Sequence, residues 1–157
     1  MTPEEILEGN KLIAEFMGYG YHPHMEGETL PGWRKEKAHP KISGTYLARV
    51  HKDLAYHRSW EWLMTAVEKI ESLDLSEEMY SWEGIEGETE YNFEGISVEI
   101  ENKGCWIYVN LQLDPMFTIN KKTFNIDHPT KIEATFRAVC EFVEWFNKRK
   151  EVEETEE

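Results

Sequence analysis

Flat aromatic rings and cations occur together in one stretch of the chain, from Trp33 to Arg58. Nucleotide binding needs this combination, because an aromatic face stacks on a base while Arg or Lys contacts phosphate oxygens. We therefore predict a ligand site formed by Trp33, Arg34, Lys35, Tyr46, Arg49, Lys52, His57 and Arg58. The simpler alternative is that Trp33 folds the stretch onto the core while the cations stay in water.

Metal binding and catalysis have weaker patterns. His22 and His24, with Glu26 close by, could ligate a borderline cation, but the chain has no HExxH or CxxC motif. Cys105 and Cys140 lie at apolar positions, where cysteine usually behaves as an inert small hydrophobe. The sequence thus predicts no catalytic residue, no metal and no cofactor, and it favours a binding protein over an enzyme. Its 31 carboxylates leave acid–base catalysis open.

The net charge of −14 is unevenly distributed along the 157 residues. The stretch Trp33–Arg58 carries seven Lys or Arg and two carboxylates, a net charge of +5, which leaves −19 for the remainder. A body this acidic repels extended nucleic acid and anionic membranes. The opposite charges predict two protein interactions instead: self-association into a homo-oligomer, and binding of a basic host protein to the acidic surface.

Helix-capping and turn residues predict two helices, a long loop and a short strand in the first half of the chain. Thr2 and Glu5 form a predicted capping box for a first helix over about 3–17. Residues 19–44, rich in Gly, Pro and His, are predicted as a long loop, and a short strand follows at 45–51. Ser59 caps a second helix, whose predicted buried stripe is Trp60, Leu63, Met64, Val67 and Ile70.

The sequence of the second half of the chain predicts three strands followed by a helix. Strands are expected at 91–101, 105–113 and 116–119, and a third helix begins after Thr130. The predicted fold class is α+β, with an antiparallel sheet of three to four strands packed with three helices. One domain covers residues 1–150, and the acidic residues 151–157 form a disordered tail.

Targeting signals and the number of cysteines indicate the cellular compartment in which the protein acts. No apolar run approaches the ~20 residues needed to cross a bilayer. The first ten residues lack the basic and apolar regions of a signal peptide. Two cysteines make no disulfide framework, which is typical of a reducing environment. We therefore predict a cytoplasmic protein without a membrane partner.

Three segments of the chain resemble a family of small phage and prophage proteins. They are NKLIAEFMGY beginning at Asn10, a YHxSWxWLM segment beginning at Tyr56, and a KIEAxxxAVxEFxxWxN segment beginning at Lys131. The family has no established activity. The resemblance therefore implies a phage-encoded protein that acts in the cytoplasm of an infected bacterium, and it implies nothing about chemistry.

Three functions remain open from the sequence. The first is a sponge that sequesters a small anionic ligand, most concretely a cyclic dinucleotide or ADP-ribose type of immune signal, and so counters bacterial defence. The second is an acidic inhibitor that binds a basic or DNA-binding host protein. The third is a structural or housekeeping phage component without a ligand.

Overall fold

The computed structural model describes residues 1–22, 32–35, 46–48, 50–76, 91–102, 104–113, 117–127 and 130–156. Residues 35, 46, 91–92, 111–113, 117–127 and 149–156 are described by their backbone alone. The helices are α1 (Pro3–Phe16), α2 (Trp60–Glu71) and α3 (Lys131–Glu156), with one 3-10 turn at His51–Asp53. The strands are β1 (Tyr19–His22), β2 (Gly32–Lys35), β3 (Tyr46–Ala48), β4 (Tyr91–Ile100), β5 (Gly104–Leu113) and β6 (Phe117–Asp127).

The first helix begins and ends where the sequence predicts. Thr2 Oγ1 accepts from the backbone N–H of Glu5 at 3.2 Å, and the Glu5 carboxylate accepts from the backbone N–H of Thr2 at 2.7 Å. This reciprocal pair satisfies two N–H groups that the first turn would otherwise leave unpaired. Met17 forms the C-cap, and Gly18 follows with a φ of 87°, the left-handed conformation that glycine adopts without steric cost.

The other two helices begin at their predicted caps. Ser59 Oγ accepts from the backbone N–H of Trp62, and Thr130 Oγ1 accepts from the backbone N–H of Glu133. Helix α3 runs to Glu156, so residues 151–156, predicted as a disordered tail, continue its backbone instead. Backbone hydrogen bonding within a helix that is already nucleated accounts for this extension.

One sheet is formed by β4, β5 and β6 in that order, and both pairs are antiparallel. A tight turn joins β4 to β5, where Ile100 pairs with Cys105. A bulge interrupts the β4 register at Gly95, whose φ is 147°. The predicted strand at 116–119 is too short, because β6 pairs with β5 along its whole length, from Phe117 to Asp127. The polar sequence of β6 gives no period-2 signal for this length.

A second antiparallel sheet has the order β1-β2-β3, and its first two strands lie within residues 19–44, which the sequence predicts as a long loop. That prediction is wrong for residues 19–22 and 32–35, which form strands in which Tyr21 pairs with Trp33. Strands of four residues are too short to show sustained alternation in the sequence. The predicted strand at 45–51 is also shorter, since β3 spans 46–48 and the 3-10 turn follows.

The core lies between the helices and the β4–β5–β6 sheet. Cys105, Ile107 and Val109 of β5 are all fully buried, as their alternation predicts. Helix α3 contributes the largest buried set, which comprises Ala134, Phe136, Ala138, Val139, Phe142, Val143 and Phe146. The α+β class, the three helices and the single domain are thus confirmed, while the strands divide between two three-stranded sheets.

The buried stripe of α2 differs from the prediction at its first residue. Leu63, Val67 and Ile70 are buried, but Trp60 is 39% exposed. Trp60 is the first residue of the helix, where its side chain extends beyond the core. Trp62 is half-buried, and its ring lies against Tyr56 with centroids 5.3 Å apart.

Candidate functional site

Trp33, the aromatic centre of the predicted nucleotide site, is a core residue. Its side chain is 2% exposed, and its indole Nε1–H donates to His51 Nδ1 at 3.1 Å. The ring also lies 5.8 Å from Tyr21 and 5.5 Å from His51, measured between centroids. An indole packed in this way has no open face for a base, so the prediction that Trp33 stacks on a ligand is wrong.

The predicted cations whose side chains the structure describes differ in their exposure. Arg34 is half-buried on β2, and Lys52 and Arg58 are exposed. Arg34 pairs across the sheet with Tyr46, the one pair of predicted site residues that the strand register brings together. Lys35, at the end of β2, pairs with Tyr19 by its backbone, and Arg49 lies outside the described residues. The 23–28 part of the predicted metal pattern also lies outside them.

His57, the remaining predicted site residue, has a structural partner. Its Nδ1 lies 2.8 Å from the amide nitrogen of Asn10, a residue of α1 that is 2% exposed. Because the amide nitrogen donates, His57 Nδ1 is the acceptor. Its ring also packs edge-to-face on Phe136. His57, which lies just before α2, therefore contacts both α1 and α3. The sequence does not predict this structural role.

His51 and His57 are both held in the neutral form, which predicts a loss of stability on acidification. Each Nδ1 accepts a hydrogen bond. Burial lowers the pKa of both imidazoles, aided by Lys11 at His51 and by Arg58 at His57. The unfolded chain therefore binds more protons than the native state as pH falls through about 6.5. This contribution to the free energy of unfolding is complete above that pH and is lost below it.

The measurement is urea unfolding at a series of pH values for the native protein and for the double variant His51→Gln/His57→Gln. Because the same carboxylates titrate in both proteins, the difference between the two slopes isolates the histidines. We expect the native protein to lose more stability than the variant on acidification from pH 7. Identical slopes would contradict the assignment of neutral, accepting imidazoles.

A groove between α1 and α3, here called the α1–α3 groove, is a concave surface with a distinctive charge. Its volume is about 650 Å³. The floor is apolar and consists of Met1, Gly9, Leu12, Phe136 and Cys140. The rim carries five exposed carboxylates, which are Glu4, Glu5, Glu8, Glu141 and Glu144. Residues three or four apart on a helix share a face, which is why each helix presents its carboxylates on the same side.

Cations in and around the groove only partly offset this charge. The Arg137 guanidinium, which also lines the groove, lies 3.9 Å from the Glu5 carboxylate. The Thr2 hydrogen bond lowers the pKa of Glu5, and Arg137 and the N-terminal amino group add to this effect. Lys11 lies 3.3 Å from Glu8 in an exposed pair, which contributes little. The groove keeps an excess of negative charge over an apolar floor.

Gly9 allows the two helices to approach at the floor of the groove. A Cβ atom at this position would lie 2.6 Å from Phe136 Cζ and 2.9 Å from Cys140 Sγ. Phe136 is 1% exposed, so its ring has little room to move away. Burial next to Glu144 and Glu141 raises the pKa of the Cys140 thiol to about 12. The thiol therefore stays protonated and serves as packing, as the sequence predicts.

Replacement of Gly9 tests this close approach. Gly9→Val places branched atoms against Phe136 and Cys140, and overpacking of this kind costs about 1–3 kcal/mol. The matched control is Glu8→Val, which puts the same side chain at the exposed neighbouring position of the same helix. We expect urea unfolding to show a loss for Gly9→Val that exceeds the control by at least about 1 kcal/mol. Equal losses would show that the helices do not meet at Gly9.

Charge counted along the chain does not reveal the α1–α3 groove, because the groove depends on where the carboxylates lie around each helix. Glu4 and Glu8 are four residues apart, and Glu141 and Glu144 are three apart. Each pair lies beside apolar residues of the same helix, which is the signal that could have found the face. The sequence does not indicate that α1 packs beside α3, so the groove between them cannot be predicted from it.

Neither a metal-ligand cluster nor a membrane-spanning helix occurs among the described residues. No group of three or more His, Cys, Asp or Glu side chains among them has the arrangement of a metal site. None of the described helices is both long and apolar enough to cross a membrane. Comparison with protein-family profiles, with curated proteins and with solved structures finds no match for this chain.

Proposed function

We propose that this protein binds a basic, partly apolar segment of a partner protein in the α1–α3 groove and thereby inhibits the partner. The observation that carries the proposal is the pairing of an apolar floor with five exposed rim carboxylates. A basic amphipathic helix has the complementary pattern, with apolar side chains for the floor and Lys or Arg for the rim. Charge complementarity makes a basic, DNA-binding protein the expected partner, and the resemblance to phage proteins implies that this partner belongs to the bacterial host.

The placement of the carboxylates on helices supports this function. Imitation of a nucleic-acid surface requires negative charges at fixed spacing, which loops do not provide. The groove carboxylates lie on α1 and α3, two of the best-packed elements, since Ile13, Phe136 and Phe142 anchor them in the core. The backbone that carries the charges is therefore preorganised, and binding has to order only the Glu side chains.

Sequestration of a small nucleotide has less support. It requires Trp33 or Tyr46 as a stacking face; the Trp33 ring is 2% exposed, and the Tyr46 side chain lies outside the described residues. Lys52 and Arg58 are exposed and remain able to contact phosphate, but neither lines the α1–α3 groove. This function is retained as the competing outcome of the experiment below.

The test is titration of the folded protein with a labelled amphipathic peptide in which Leu and Lys recur at helical spacing. A peptide of the same pattern with Glu in place of Lys is the control. We expect binding of the Lys peptide alone, weakened by added salt, because the Debye length falls from about 10 Å at 0.1 M to about 3 Å at 1 M. Calorimetry with cyclic dinucleotides and cyclic ADP-ribose isomers covers the competing function. Heat from a nucleotide and no binding of the Lys peptide would contradict the proposal.

A further inference from the structure

A second cavity lies between the end of α1, the β1–β3 sheet and the first turn of α2. Its volume is about 400 Å³, within the range of about 300–1,000 Å³ that small-molecule pockets occupy. Three of the residues that line it are aromatic, namely Tyr19, Tyr56 and Trp62. It shares no lining residue with the α1–α3 groove, so it stands apart from the proposed function.

The aromatic rings form a corner inside this cavity. The rings of Tyr56 and Trp62 lie 5.3 Å apart between centroids, with an angle of 74° between their planes. Tyr56 is 1% exposed and forms the closed inner end, while Trp62 and Tyr19 are half-buried and remain accessible from outside. The faces of aromatic rings carry partial negative charge, so the half-buried rings of Trp62 and Tyr19 can attract a cation, while Tyr56 closes the cavity behind them.

The remaining lining completes an environment for a cation that carries carbon substituents. The Glu61 carboxylate lies at the mouth and is exposed, and Met17 and Leu47 supply apolar walls. Among the described residues that line this cavity, none is Lys or Arg. The N-terminal turn of α2 opposes a cation weakly, but Ser59 already accepts from the N–H of Trp62 there.

We propose that this cavity binds an alkylated ammonium ion, held by the rings of Tyr19 and Trp62 and by the charge of Glu61. A methylated ammonium group suits the site better than a primary ammonium. The primary group is strongly hydrated, and it would leave N–H donors unsatisfied against Met17 and Leu47. The group can belong to a free quaternary amine or to a methylated lysine side chain, and the two sources present the same chemistry.

The test compares choline with its uncharged analogue 3,3-dimethylbutan-1-ol, which has the same shape. Binding is followed by tryptophan fluorescence and by saturation-transfer NMR. We expect choline to bind at least about tenfold more tightly than the alcohol, because a desolvated cation–π contact adds to the apolar contacts that both molecules make. Equal affinity, or no binding of choline, would overturn the proposal. A parallel titration with trimethyllysine amide distinguishes the sources: tighter binding than choline assigns the site to a side chain, and weaker binding to a free amine.

Two pairs of variants locate the site. Trp62→Leu should weaken choline binding about tenfold, whereas Trp60→Leu, an exposed residue of the same helix, should leave it unchanged. Trp62→Phe retains an aromatic ring, so its affinity for choline should lie between those of Trp62→Leu and Trp60→Leu. This intermediate value distinguishes loss of the ring from a folding defect in Trp62→Leu. Glu61→Gln should weaken binding several-fold and Glu68→Gln should not, since Glu68 does not line the cavity. Equal effects within either pair would overturn the assignment.

Discussion

Trp33→Ala is expected to lower the free energy of unfolding by about 3–5 kcal/mol, the range for truncating a buried Trp to Ala. The indole is 2% exposed and packs against Tyr21 and His51. Its removal leaves a cavity and deprives His51 Nδ1 of its donor. Since domains of this size have about 5–15 kcal/mol of stability in total, the loss is a large share. Urea unfolding followed by circular dichroism measures it.

Trp60→Ala is the matched control for this prediction. Trp60 is 39% exposed, so its truncation should change stability by no more than about 0.5 kcal/mol. Trp33→Phe keeps an aromatic ring and loses the N–H donor, and its cost should fall between those of the two Ala variants. A ligand-stacking Trp33 would give a different result, in which Trp33→Ala and Trp60→Ala unfold at similar urea concentrations and only the first loses nucleotide binding.

Reversal of charge on the groove rim is expected to weaken binding of the Lys peptide about thirtyfold. The double variant Glu141→Lys/Glu144→Lys changes the rim by four units of charge. At about 0.5 kcal/mol for each exposed unit, the total is about 2 kcal/mol. Both residues are exposed, so the fold should be retained. Fluorescence anisotropy at low ionic strength measures the change in affinity.

The matched control makes the same change of charge elsewhere. Glu61→Lys/Glu68→Lys alters two exposed carboxylates of α2, which do not line the groove. If long-range attraction by a net charge of −14 governed binding, both double variants would weaken it equally. A deficit confined to the α3 variant is the result that the groove predicts.

Local signals predicted much of the fold correctly. The caps at Thr2, Ser59 and Thr130 set the three helix starts, because each satisfies backbone N–H groups within its own turn. The alternation of β5 placed Cys105 and Ile107 in the core, because successive side chains point to opposite faces of a sheet. These features depend on neighbours within a few residues, which a single sequence contains.

Long-range pairing could not be predicted in the same way. The β1–β2–β3 sheet depends on contacts such as Tyr21 with Trp33, which join strands of three or four residues. The hydrogen bond from Trp33 to His51 spans 18 residues, and the one between Asn10 and His57 spans 47. Aromatic and histidine residues that are close in sequence therefore suggest a ligand site. In the fold, Trp33 and His51 instead form a hydrogen bond with each other.

The most direct test of the α1–α3 groove is a titration of isotope-labelled protein with the Lys peptide, followed by two-dimensional amide NMR. We expect chemical-shift changes to concentrate in residues 4–12 of α1 and 136–144 of α3, and to require a much higher peptide concentration in Glu141→Lys/Glu144→Lys. Changes centred on Lys52 and Arg58, or spread evenly over all exposed carboxylates, would contradict the groove as the binding site.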